Sequence, residues 1–431
     1  MKSEASQSQK IGFWSIVLLG INGIIGSGIF LLPSAGMKLF GPASIVVLFF
    51  DAFLAFVIAM CFADCASFFS KNGGPYLYAK EAFGGFVGYE VGFVTWVIRI
   101  IAEATLYVAF ATALGGLFPD LNNPTAKNVI VTLMAVSLVA LNVSGVKLTA
   151  LISNVVTVGK LVPIALVIVF GLFFMKGSHF DPFFVSHLTT SNNFATTAIT
   201  LFYIFTGFEA LPVIAGEMTN AKKNLPKALM IALSAVALVY VLVMTVSVGV
   251  MGDQLASSTV PLKDTFEKIA GSFGGDLISL GMVLSVGGIC ISSSFITPRS
   301  GVALAENKMM PKVLAKKNRK NAPYVAIVFS TVAVLAIAYS GTFTTLAQIS
   351  AVSRFAQFIP TCLAVLVFRH TKKDEARDFR LPLGPVIPIV ALVISVWLLW
   401  HVTKTDLVWG FGALVVAVPF YFITKQRGTT E

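Results

Sequence analysis

The sequence predicts an all-α integral membrane protein of about 12 transmembrane helices, arranged as a five-plus-five inverted repeat with broken helices 1 and 6 and two extra helices. Three observations predict it. The 431 residues are 56% hydrophobic and only 12% charged, where a soluble domain carries about 25% charged residues. Mean hydropathy is +0.86, and apolar runs of about 20 residues, the length a bilayer demands, recur along the whole chain. Two of these runs, the first and the sixth, are interrupted by glycine at matching places. Irregular backbone survives at membrane depth only where it lines a cavity or is buried in protein.

Taken in order, the spans fall at roughly 12–35, 42–66, 86–116, 127–146, 150–175, 194–216, 228–251, 274–300, 323–341, 343–368, 385–402 and 405–424. Span 1 contains Gly20-Ile21-Asn22-Gly23-Ile24-Ile25-Gly26-Ser27-Gly28-Ile29-Phe30. Each of its glycines costs a helix interior about 1 kcal/mol relative to Ala, so the helix should break near residue 27. Span 6 repeats the oddity in Phe202-Tyr203-Ile204-Phe205-Thr206-Gly207-Phe208-Glu209, with a break near residue 207. Each broken span opens a block of five, residues 12–175 and 192–368, and residues 385–424 supply the two extra helices. Blocks with an odd number of spans lie in opposite orientations, so the broken helices meet antiparallel, as in alternating access.

The formal charge of +11 does not point to nucleic acid, because its placement is one-sided. The basic residues gather at the N-terminus, in the loops Lys71–Lys80, Lys222–Lys227, Lys308–Lys320 and Arg369–Arg380, and at the C-terminus. By the positive-inside rule these segments and both termini are cytoplasmic, with the basic loops against anionic membrane lipid. The first ten residues are polar and nothing there reads as a cleavable signal. Cys61, Cys65, Cys290 and Cys362 all sit in apolar runs, which reads as buried core rather than disulfides or a metal framework.

A broken helix exposes amide N–H groups and a positive dipole end where its second half begins. Around Ser27, Gly28 and Ile29 such groups suit a carboxylate, and glycine permits close approach; Asn22, Ile25 and Gly26 are further candidate substrate contacts. The carbonyls exposed at the close of the first half-helix of span 6 suit an ammonium, with Phe205, Thr206, Gly207 and Phe208 as candidate substrate contacts. Together the breaks would grip the two charged ends of an amino acid. Phe202, Phe205 and Phe208 are either an apolar wall for it or ordinary packing. Asn22 either contacts the carboxylate region or satisfies unwound backbone.

These residues resemble the amino acid–polyamine–organocation (APC) superfamily of permeases over essentially the whole chain. Gly26-Ser27-Gly28-Ile29-Phe30 is similar to the signature of span 1, and Phe205-Thr206-Gly207-Phe208-Glu209 to that of span 6. Ala215 to Ala228 resembles the loop after span 6; Pro298-Arg299 and Ala305-Glu306-Asn307-Lys308-Met309-Met310-Pro311 resemble the end of span 8 and its loop. The resemblance implies a single-domain amino acid transporter of the cytoplasmic membrane. It also implies that Lys160 stands where sodium-coupled carriers hold sodium, bonded to span 1 carbonyls near Gly23 and to span 8 hydroxyls, with Ser292, Ser293 and Ser294 placed to supply them.

Charges within a span are costly and usually functional. Lys160 is either a titrating group that couples protons to gating or a fixed structural ammonium. Glu209 is a proton acceptor, a cap on the restarting helix, or both. Arg99 and Glu103 share a face of span 3; they form an internal ion pair, or one meets the substrate, Arg99 favouring an acidic side chain and Glu103 a basic one, with a neutral substrate the default. Arg354 is expected in a structural or gating role, pairing with Glu103 or Asp51. Asp51 and Asp64 read as packing or cytoplasmic-end groups, and Trp96 as packing. The sequence shows no nucleotide loop, metal cluster or hydrolytic triad. The expectation is therefore a carrier, not an enzyme, with no cofactor. It would take up amino acids by proton symport, with amino acid or amine exchange as the alternative.

Overall fold

With no water to bond the backbone inside a bilayer, only helices or closed barrels can span it. The computed structural model describes residues 11–69, 73–144, 150–307, 309–375 and 379–428, and among them the solution is helical. The described residues contain no strand, only an isolated bridge between Ile11 and Met218. The polar start Met1–Lys10, Lys71, Lys308 and Arg377 lie outside the described residues.

Among the described residues, eight helices are long and apolar enough to cross a membrane, and four shorter apolar helices fill the remaining places. In chain order span 1 is Phe13–Ile24, continued by Gly28–Leu31 and Pro33–Phe40; span 2 is Ser44–Phe68 and span 3 Gly85–Leu117. Spans 4 and 5 are Pro124–Val143 and Ala150–Phe174. Span 6 is Ser191–Phe202 with the tighter turns Tyr203–Phe205 and Phe208–Glu217. Spans 7 to 10 are Ala221–Met251, Pro261–Glu306, Tyr324–Ala338 and Phe343–Thr371, and spans 11 and 12 are Val386–Trp400 and Lys404–Gly428. The chain is a multi-pass membrane protein.

Boundaries differ most from the sequence reading at spans 1, 7 and 8: span 7 starts at Ala221 rather than 228, and span 8 ends at Glu306 rather than 300. Span 8 was expected from residue 274, but its helix starts at Pro261 and kinks at Gly271, where φ is +69°; the residues before the kink are a short lead-in helix with Pro at its first position, a favoured start. The second half of span 1 runs on to Phe40 because Pro33 restarts a helix at Leu32. The basic loop between spans 2 and 3 also forms a helix, Pro75–Phe83.

Both breaks are present. Span 1 loses helical geometry at Ile25, where ψ is 99°, and resumes at Gly28. Span 6 breaks at Thr206, which is extended, and Gly207, whose φ of +115° lies in the left-handed region. Only glycine adopts that region without strain. The two breaks touch: a Cβ on Gly207 would collide with the Gly23 carbonyl oxygen.

The packing repeats between the blocks. Span 1 packs on span 7 as span 6 does on span 2, and span 5 packs on span 8 as span 10 does on span 3. Spans 2 and 7, 3 and 8, and 4 and 9 face one another directly. Exchanging the first five spans for the second five therefore maps these contacts onto themselves. Spans 11 and 12 pack against span 10. Lipid gives helices no hydrophobic drive to associate, so close approach through small residues matters. At Gly281 of span 8, a Cβ would collide with the Pro163 ring of span 5.

Candidate functional site

The site is built from what the two breaks leave unpaired. Among the described residues, the N–H groups of Gly26, Ser27, Gly28 and Ile29 find no protein acceptor. The carbonyls of Ile204, Phe205 and Thr206 receive no backbone N–H. One break thus presents a run of donors and the other a run of acceptors. Unpaired backbone groups are expensive away from water, and the two breaks meet at the Gly23–Gly207 contact.

The opposite end of each break is closed by a charged side chain. The Lys160 ammonium of span 5 donates to the carbonyl oxygens of Asn22 and Ile25, each at 2.8 Å. It caps the last turn of the first half of span 1, where free carbonyls favour a cation. The Tyr240 hydroxyl of span 7 takes the Ile24 carbonyl at 3.1 Å. At span 6 the Gly207 N–H donates to Glu209 Oε2 at 2.8 Å, so a carboxylate caps the restarting turn. Glu209 Oε1 accepts from Arg354 Nε at 2.8 Å, and Arg354 Nη1 donates to the Ser350 carbonyl and hydroxyl. Lys160, Glu209 and Arg354 are all buried.

The sequence expectations fare unevenly. Arg354 pairs with Glu209 rather than Glu103 or Asp51. Arg99 and Glu103 share a face but do not pair. Glu103 Oε1 accepts from the Tyr107 hydroxyl at 2.7 Å, while Oε2 has no hydrogen-bond partner and Thr297 of span 8 lies beside the carboxyl. Arg99 instead lies within electrostatic reach of Glu209 and Arg354. Ser294 does not serve Lys160: its hydroxyl donates to the Ile291 carbonyl and accepts from Asn142 of span 4. Ser292 likewise donates to the Gly288 carbonyl. Ser293 is half-buried next to them.

Phe202, Phe205 and Phe208 are fully buried. Phe205 meets Tyr240 edge-on and Phe208 stacks on Phe358, so these rings support the break from behind and show no face to open space. Ser27 is sealed against the Tyr203 hydroxyl, and Gly28 packs so closely on Tyr203 and Ile204 that a Cβ would lie 2.8 Å from Ile204 Cγ2. Thr206 turns its hydroxyl to the Tyr203 carbonyl. Asn22, Gly26 and Gly207 are half-buried, and Gly23 is exposed. Asn22 Oδ1 has no partner. Trp96 packs on Gly301 and Phe329, and Asp64 accepts the Leu381 N–H. Asp51 is fully buried, and neither of its carboxyl oxygens has a hydrogen-bond partner. The four cysteines are buried, and none forms a disulfide among the described residues.

Sequence reasoning missed Tyr240, Tyr107, Thr297, Asn142 and Ser350. Tyr107 and Ser350 had a readable signal, because Tyr107 follows Glu103, and Ser350 precedes Arg354, by four residues on one helix face. Tyr240, Thr297 and Asn142 are brought in by distant spans.

The family model for amino acid permeases matches residues 11–424. The chain belongs to the amino acid permease family. This permease is similar to an uncharacterized transporter of Mycobacterium tuberculosis, at 30% identity with 90% of this chain and 86% of that one covered. It is similar to the serine/threonine exchanger SteT of Bacillus subtilis, at 28% identity with 97% of each covered. It is also similar to the branched-chain amino acid permease BcaP of Bacillus subtilis, at 24% identity with 98% and 94% covered. The permease is a transporter, not an enzyme.

Proposed function

We propose that this permease imports amino acids across the cytoplasmic membrane, with both termini cytoplasmic, by proton symport. The substrate carboxylate would rest on the free amides of Gly26 to Ile29. Its ammonium would rest on the free carbonyls of Ile204 to Thr206. The observation that carries the coupling is the Lys160 ammonium held by two carbonyls at the end of the half-helix. Charge-assisted bonds of this kind are roughly twice as strong as neutral ones. A Lys160 that gives up its proton loses that strength and releases the first half of span 1, so protonation biases the break between two positions. Glu209 and Arg354 hold the second break in the same manner, which supports a gating role for the pair.

One observation favours a second reading. The relatives that cover most of this chain include SteT and an arginine/ornithine antiporter of Latilactobacillus sakei, at 26% identity with 87% of this chain and 81% of that one covered. Under obligate exchange Lys160 stays charged throughout and is structural.

Purified protein in liposomes separates the two readings. Symport predicts that acid outside drives accumulation of labelled amino acid into empty vesicles. It further predicts that Lys160→Ala abolishes this drive while the protein still binds substrate. Uptake that requires internal amino acid at every pH gradient would establish exchange, and pH-driven uptake unchanged in Lys160→Ala would remove the coupling role.

A further inference from the structure

Arg99 is the one cation near the breaks, among the described residues, for which no hydrogen bond or ion pair is found. Lys160 is bonded to two carbonyls, and Arg354 to Glu209 and Ser350. The face of span 3 that carries Arg99 points inward. Four residues earlier, Thr95 donates to Gln357 of span 10 at 3.3 Å; four residues later, Glu103 lies beside Thr297 of span 8. Arg99 therefore projects between spans 8 and 10. It is half-buried, and none of its nitrogens is sealed off without a partner, so the guanidinium keeps some accessible surface. It lies within electrostatic reach of Glu209 and Arg354.

Of the cations near the breaks, Lys160 and Arg354 have their partners and Arg99 has none among the described residues, while the Glu103 carboxylate takes the Tyr107 hydroxyl. Glu209 is already committed to Arg354 and the Gly207 N–H. An unpaired guanidinium at membrane depth is costly, and a zwitterion carries no net charge. An amino acid with a second carboxylate brings one net negative charge. A planar guanidinium is also the group best shaped to take a carboxylate in two parallel hydrogen bonds.

We propose that Arg99 reads the side-chain carboxylate of the substrate and that the permease prefers acidic amino acids. This rests on the amino acid site proposed above, with the two breaks holding the α-carboxylate and α-ammonium. It replaces the neutral substrate taken as the sequence default.

The test compares aspartate and glutamate with asparagine and glutamine, which match them in shape and lack the charge. Binding is read as thermal stabilisation of the purified full-length protein and as labelled uptake into liposomes. Wild type should respond to an acid at about tenfold lower concentration than to its amide, the discrimination expected of one charge-assisted pair. Arg99→Gln should erase that preference and leave the amides within about twofold of wild type. Arg99→Lys, which keeps the charge and loses the fork, should retain a weaker preference and covers the case in which the Gln variant does not fold. Amides that bind wild type as well as acids, or an acid preference unchanged in both variants, would overturn the proposal. If neither acids nor amides bind while other amino acids do, only this inference fails; if no amino acid binds at all, the amino acid site beneath it fails too.

Discussion

Single residues decide whether the breaks hold. Gly207 has a left-handed backbone and no room for a Cβ beside the Gly23 carbonyl. Gly26 is ordinary in φ, and its nearest neighbour to an added Cβ is the Ile24 carbonyl at 3.9 Å. The two glycines should therefore respond differently to the same change. Gly207→Ala combines about 1–2 kcal/mol of left-handed strain with a steric clash, and should lower the melting temperature by several degrees. Gly26→Ala places a methyl into open space at the amide cradle. It should leave the melting temperature unchanged and weaken amino acid binding about tenfold. Thermal melts and a binding titration on the same preparations check both, and equal melting temperatures for the two variants would contradict the account.

At the scale of elements, the twelve spans and both breaks were legible because their causes are local. Length and hydropathy mark a span, and glycine at Gly23, Gly26, Gly28 and Gly207 marks a break. Ion pairing was not legible, because it depends on which distant helices meet. Glu209 and Arg354 stand 145 residues apart, and no local pattern joins them. Arg99 and Glu103 misled for the opposite reason: their spacing places them on one face, yet Tyr107, also four residues away, takes the Glu103 oxygen. Ser294 looked free to serve Lys160, but a helical serine readily bonds back to a carbonyl of the preceding turn, as it does with Ile291. The close crossing of spans 5 and 8 follows from Gly281 against Pro163. Gly281→Leu should push these spans apart and abolish the monodisperse folded species in size-exclusion chromatography, whereas a wild-type elution profile would show that the crossing tolerates separation.

For the whole molecule, the two halves present the same device in complementary form. One broken helix offers donors and is tied by Lys160; the other offers acceptors and is tied by Glu209 and Arg354. The paired contacts of the two blocks bring these ends together in the interior of the fold. A carrier with this arrangement needs only small shifts of the tied half-helices to change which side its site faces. The most direct measurement is a density map of the protein with a bound amino acid. The account predicts its α-carboxylate within about 3 Å of the amide nitrogens of Gly26 to Ile29, and its ammonium against the carbonyls of Ile204 to Thr206. An amino acid lodged away from both breaks, or spans 1 and 6 continuous around it, would contradict the account.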